Sequence, residues 1–424
     1  MRIATFAIDI TPPVGHPLAY GVNKRIYGRQ WLRGVVCDDG QQRVVMAAAD
    51  VIALGATAHR CWRAAIAKQA ICPVANVILH AVHQHDALIF LSEADDERRA
   101  VGWNDGADPR WYQRLARVIG DGMRSQLSSE VWREAQVGSA EARVDGVASN
   151  RRLLGENGRI RATRWSRCAI PAVKQEPVGL IDPLLRTIAF RDTTGKVLAS
   201  CHFYGSHPQV ASGREMAGPD LPGEALAQLS RQREGFHIWF TGAAGDITAG
   251  KYTFTDPEKS LAVLGMRLAT AMARNLDHLD DHGRGSVTLC RKRAHLALQF
   301  PGGLKGLRQR LKTNTNPANF FPALHLALWR RRAEWGRPWL TRLSLAPGVH
   351  VLSLPSEVVI HYQLFAQAQV PEQFVACATM GEYLHGYIPT DAMFAQGGYE
   401  PEVSPCAPGV QAGLEAGIAA ILRQ

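Results

Sequence analysis

A chain of 424 residues is longer than one hydrophobic core usually serves, so one large domain or two closely joined ones are expected. With 46% hydrophobic and 20% charged residues it has a globular composition, which excludes the disordered and fibrous classes. The net charge of +10 permits an anionic partner, while the opening MRIATFAIDITPPVGHP has no apolar run of signal length before Asp9 and Pro12, and no later stretch reaches the roughly 18 apolar residues of a membrane helix. Eight scattered cysteines without a CxxC pair complete the expectation of a mature cytoplasmic chain holding buried free thiols.

In chain order, the apolar run RVVMAAADVIALG leads into the helical ATAHRCWRAAIAKQA, and ANVILHAVHQH reads as a further strand. WYQRLARVIGDGMRSQL is amphipathic, with Leu115, Val118, Ile119 and Met123 near helical spacing for packing on a sheet. LLRTIAFRDTTGKVLASCHFYGS reads as a hairpin turning around Thr193 to Lys196, and it delivers His207 beyond its far end. GEALAQLSRQ is helical, HIWFTGAAGD a buried strand entering a Gly-rich turn, and EKSLAVLGMRLATAMARNL a long helix. Residues 301–342 then break the composition, with nine basic side chains against Glu334 giving a local charge of +8, interleaved with Phe320, Phe321, Trp329, Trp335 and Trp339. This reads either as a solvated amphipathic helical insertion or as a docking surface for lipid headgroups, an acidic protein or nucleic acid. GVHVLSLP and QFVACATM are strands, and GVQAGLEAGIAAILRQ closes the chain as a helix, so the expected class is α/β, mixed sheets flanked by helices.

His83-Gln84-His85 ends an apolar run. On a strand, residues two apart share a face, so both imidazoles would point into one site as zinc ligands or as hydrogen-bonded structural histidines. His80, on the opposite face, reads as structural. His207 follows a strand and precedes Pro208, where the chain must turn. Glu357 stands before EVVIHYQLF's helical run, where an acidic residue is also an ordinary first-turn stabiliser, and Tyr387 in EYLHGYIPT could be a packing residue.

Taken in order, FAIDITPP, RVVMAAAD, VHQHD, SNRR, FYGSHP, GPDLPGE, TGAAGDIT, LSLPSEVV and EYLHGYIPT resemble the neutral/alkaline non-lysosomal ceramidases over nearly the whole chain. The resemblance implies one catalytic domain spanning 1–424 with a basic insertion at about 301–342, and no C-terminal immunoglobulin-like domain. It implies Zn²⁺ on His83, His207, Glu357 and Tyr387, with His85, Arg151 and Tyr399 contacting substrate. Arg151 is otherwise a surface salt-bridge partner. Two departures stand out. The family's Gly-Asp-Val-Ser-Pro-Asn is Gly245 to Gly250 here, with Thr248 at the hydroxyl position, which weakens a covalent route. After the histidines the family's small residues give way to Asp86-Ala87-Leu88, which changes the pocket mouth.

The implied activity is hydrolysis of an N-acyl amide by metal-activated water, with His85 carrying the proton and Asp220 and Asp246 as ligand-orienting acceptors or as turn and cap residues. Two alternatives accompany it: the same site run in reverse to form an amide or lactam on a carrier-presented acyl chain, and a non-catalytic lipid- or protein-binding module. The expected partner is a small N-acyl amide, with an acidic carrier protein or anionic membrane meeting 301–342 and no nucleic acid expected.

Overall fold

The computed structural model describes residues 1–103, 108, 110–316, 319–335, 337–383 and 385–424. The class is mixed α/β. Three principal sheets share one construction: antiparallel strands, then a final parallel pair bridged by a helix.

In the first sheet Arg2–Asp9 pairs antiparallel with Trp31–Asp38, which pairs with Arg43–Ala49, and this strand runs parallel to Val77–Ala81 after the helix Ala56–Ala70. Alternation along Arg43–Ala49 explains why it is buried on both faces. Val44, Met46 and Ala48 join the core shared with the other sheets, whereas Val45, Ala47 and Ala49 face Trp62 and Ile66 of that helix and Leu115, Ile119 and Met123 of the helix Trp111–Gln126. Val118 departs from the expected face and is exposed. Ile119, one position on, completes the stripe instead.

The second sheet contains Gln136–Arg143 and the expected hairpin, Leu184–Arg191 against Val197–Tyr204. The latter runs parallel to Phe236–Thr241 across the helix Asp220–Ser230. The long helix Pro257–Asp277 covers this layer, with Asp256 capping it through the Glu258 amide at 2.9 Å. The third sheet orders Thr288–Arg293, Trp339–Ala346, Val349–Ser353 and Phe374–Ala378, the last two parallel across the helix Ile360–Gln369.

The parallel pairs meet at their carboxyl ends. The Thr241 hydroxyl donates to the Val82 carbonyl at 2.7 Å, the Thr379 amide donates to the Thr241 carbonyl at 2.9 Å, and the Ala81 amide donates to the Met380 carbonyl at 2.9 Å. One residue from each sheet thus stitches the junction from which the candidate site projects.

The basic segment folds as the helices Gly303–Lys312 and Phe321–Trp335, but residues 339–342 belong to a strand inside the third sheet. The insertion therefore ends earlier than its composition suggested, because strand residues happen to continue the basic and aromatic bias. Its apolar side is already covered: Leu307, Leu311, Phe321 and Leu324 pack with Leu91, Ala94, Tyr383 and Tyr387. Among the described residues no helix is long and apolar enough to cross a membrane. All eight cysteines are free thiols; Cys37, Cys201, Cys377 and Cys406 are buried as expected, but Cys61, Cys72, Cys168 and Cys290 are only half-buried.

Candidate active site

The strand Val77–Ala81 stops before the histidine pair, so strand alternation is not what aims the two rings. His83 instead has φ +77°, held by its amide bond to the Val51 carbonyl at 2.9 Å, and this left-handed turn swings its ring inward. Its Nδ1 donates to the Ile52 carbonyl at 2.7 Å. His207, just past Val197–Tyr204, is fixed in the same manner: its backbone amide and its Nδ1 both donate to the Ile247 carbonyl at 3.1 Å. A carbonyl can only accept, so each ring carries its proton on Nδ1 and presents an Nε2 lone pair.

Both lone pairs point at one oxygen. Glu357 Oε2 lies 3.2 Å from His83 Nε2 and 3.0 Å from His207 Nε2. The first-turn reading of Glu357 is overturned, because the residue forms the two-residue strand Glu357–Val358 beside Tyr387–Ile388, and the helix starts only at Ile360. Ser356, at φ +55°, makes the bend that turns Glu357 inward. The Tyr387 hydroxyl reaches to 3.4 Å from His207 Nε2. His83, His207, Glu357 and Tyr387, brought from distant parts of the chain, thus stand together and buried.

This donor set suits a cation. Burial pushes His207 toward its neutral form against the opposing pull of Glu357, and an Nε2 lone pair facing a carboxylate oxygen is repelled unless something positive is shared between them. Burial also opposes charge on Glu357, but the adjacent His83 and His207 outweigh it and hold the carboxyl well below the usual range. Ring nitrogens of His83, His85 and His207 all lie within 4.8 Å of one another. Zinc, which takes imidazole, carboxylate and oxygen donors, fits.

His85 is half-buried, stacked on Tyr20 with ring centroids 5.3 Å apart, and its Nε2 lies 2.6 Å from Gln209 Nε2. Burial, then the neighbouring His83 and His207, keep it well below its ordinary pKa, so it is a neutral base near pH 7. Arg151 is not the surface ion-pair partner its composition allowed. It is wholly buried, its Nε donates to Glu400 Oε1 at 2.7 Å, and its guanidinium sits 5.3, 5.4 and 5.5 Å from the Trp165, Tyr387 and Tyr399 rings. Tyr399 completes this aromatic cage, its ring 5.5 Å from that of Tyr387.

Sequence reasoning missed Tyr383, whose hydroxyl donates a short hydrogen bond to Glu357 Oε1 and whose phenol is pushed far up by burial and then by Glu357. It lies within EYLHGYIPT, four residues before Tyr387, so the motif could have yielded it. Glu400, adjacent to Tyr399, was equally within reach, whereas Tyr20, Gln209 and Phe320 carry no local signal. Asp220 and Asp246 resolve into hydrogen-bond acceptors that fix the surrounding chain. Asp246 accepts from the Ile360 amide at 2.8 Å and from Asn150 Nδ2 at 2.9 Å, and Asp220 accepts from the Val210 and Ala211 amides at 3.0 and 2.9 Å. Thr248 is buried beneath the site and donates to the Arg164 carbonyl at 2.9 Å. Asp86, at the altered mouth, accepts from the Gly213 and Arg214 amides at 2.9 and 3.3 Å and so tethers the loop beyond His207.

His83, His85, Arg151, Glu357, Tyr383 and Tyr387 line a cavity of about 300 Å³, walled mainly by aromatic rings and reaching Phe320 and Phe321 of the basic segment. Part of that segment is therefore site wall.

The three convergent sheets and their junction define a neutral-ceramidase-like fold. The chain is similar in structure to the neutral ceramidase from Pseudomonas aeruginosa, with a TM-score of 0.70 at 15% sequence identity, over 99% of this chain and 74% of that one. A ceramidase complexed with C2 matches with the same TM-score of 0.70, 15% identity and coverage of 99% and 74%. No family model matches the chain, and no curated protein matches it in sequence.

Proposed function

We propose that this chain is a zinc-dependent amidase that hydrolyses the amide bond of an N-acylated substrate. The observation that carries the reading is the convergence of the His83 and His207 Nε2 lone pairs on one Glu357 oxygen, with both Nδ1 atoms committed to main-chain carbonyls. His83, His207, Glu357 and Tyr387 would hold the ion, which when bound supplies Lewis acidity that lowers the pKa of water and polarises a carbonyl. The ceramidases named above share this fold and cleave amides by name, which supports the same class of reaction here.

The chain's own groups account for binding and proton traffic. Neutral His85, held by Gln209, accepts the proton of the attacking water as its oxygen bonds to the carbonyl carbon. The Tyr399 hydroxyl, at the cavity wall, donates to the carbonyl oxygen as negative charge develops. The His85 proton then passes to the nitrogen, the C–N bond breaks, and a carboxylate and an amine leave. Tyr383 anchors the far oxygen of Glu357, which fixes the carboxylate's rotation.

The test is elemental analysis paired with product detection. Wild-type protein should hold about one zinc per chain and release amine from N-acyl amides; His83→Ala and His207→Ala should lose both while staying folded. A folded wild type that stays metal-free in excess zinc would overturn the reading and favour a binding module.

A further inference from the structure

Arg151 and Arg152 share a single carboxylate. Arg151 Nε reaches Glu400 Oε1 at 2.7 Å and Arg152 makes a short ion pair to Glu400 Oε2, with all three side chains almost completely buried. Glu400 is thus shared by two guanidinium groups, with the buried Asp246 a further carboxylate acting on Arg151, and any buried N–H left without an acceptor is costly. Arg151 also has a buried Nη2 without a protein partner, and the residue lines the cavity. Its neighbours there are the Trp165, Tyr387 and Tyr399 rings, 5.3, 5.4 and 5.5 Å from the guanidinium, and they leave Nη2 without an acceptor. The other formally charged wall residue, Glu357, is committed to His83, His207 and Tyr383.

Resting on the amidase reading, we infer that the substrate is a compact amide bearing a carboxylate, an N-acylated amino acid rather than a neutral lipid amide, with that carboxylate received by Arg151. The Tyr387 ring lies 5.4 Å from the Arg151 guanidinium and 6.4 Å from the His207 ring, and Arg151, His83 and Glu357 line one cavity, so an N-acyl amino acid, which carries its carboxylate close to its amide, can meet both. A cavity of about 300 Å³ admits a short acyl chain beside an amino acid.

The experiment compares N-hexanoylglycine with N-hexanoylglycinamide, which differ only in the charge opposite Arg151. Calorimetric binding to the full chain is measured with and without zinc, alongside kcat/KM for release of the amine. Binding and kcat/KM should both favour the anionic ligand by roughly tenfold or more, and Arg151→Met should erase the preference. A melting curve of Arg151→Met verifies that it is folded, and the wild-type comparison stands without it. Equal binding and equal turnover of the two ligands would overturn the inference and leave the amidase reading intact. Preferential binding of N-hexanoylglycine with no hydrolysis of either would keep the inference about the ligand and sink the amidase reading.

Discussion

His80, three residues before His83, reads as structural in the sequence and is so in the fold. It is buried, with Nδ1 2.6 Å from the Thr379 carbonyl and Nε2 unpartnered. Burial, partly offset by the Thr379 carbonyl, lowers its pKa from 6.5 to about 4. Below pH ~6.5 the unfolded chain therefore binds a proton that the folded chain refuses, so stability falls between about pH 6.5 and 4, by on the order of 3 kcal/mol. His80→Asn keeps a donor for Thr379 but cannot titrate, so urea denaturation across that window should give a shallower acid limb than wild type; parallel limbs would refute the assignment. Thr248 offers a second contrast. Its hydroxyl serves the Arg164 carbonyl, so Thr248→Val should cost about 1–2 kcal/mol in denaturant midpoint while amide turnover persists. An acyl adduct on wild-type Thr248 by mass spectrometry would instead establish a covalent route. Residue types and motif order were enough to name His83, His207, Glu357 and Tyr387. Tyr383, in the same motif as Tyr387, was within reach but carried no role, because a tyrosine declares its hydrogen-bond partner only once tertiary structure supplies one.

At the scale of elements, the amphipathic character of 301–342 was legible, but the destination of its apolar side was not. An apolar stripe looks the same whether it awaits a membrane or is already packed on Ser92–Arg99. Here Arg330 pairs with Glu97 at 2.8 Å and Arg331 with Asp96 at 3.4 Å, fastening the helix to its neighbour. Arg330→Ala should accordingly lower stability by about 1 kcal/mol, discounted for the half-exposed arginine and read from a thermal melt. Lys305, Arg308 and Lys312 are exposed on the preceding helix and are the better candidates for meeting an anionic partner. Changing these three to Gln should weaken association with anionic vesicles or an acidic carrier protein most at low salt, since the screening length shrinks from about 30 Å at 0.01 M to about 10 Å at 0.1 M. Hydrolysis of a short amide should not change. Equal loss on both, independent of salt, would assign these charges to the site wall.

For the whole molecule, the alternation of strands and helices could be read locally, and the hairpin at Leu184–Tyr204 lay where its polar turn placed it. The grouping into three sheets could not, because strand partners such as Val351 and Ala376 are chosen by register and packing across long stretches of chain. Thr241 tests the junction where those sheets meet. Thr241→Val conserves shape but removes the bond to the Val82 carbonyl, and should lower stability by about 1–3 kcal/mol, read as a lower denaturant midpoint at unchanged m-value; no shift would mean the hydroxyl bond adds nothing to the junction. The same convergence bears on biosynthesis. On the proposed donor set the groups lie at 83, 207, 357 and 387, so during synthesis from the N-terminus the set is incomplete until the strands of all three principal sheets have been made. The ion then cannot template early folding, as it does in small zinc domains whose unfolded chains condense around it. On that proposal it would be captured by a molecule whose sheets have already docked, and a cell short of zinc would accumulate folded, unloaded protein ready to be charged when the metal returns.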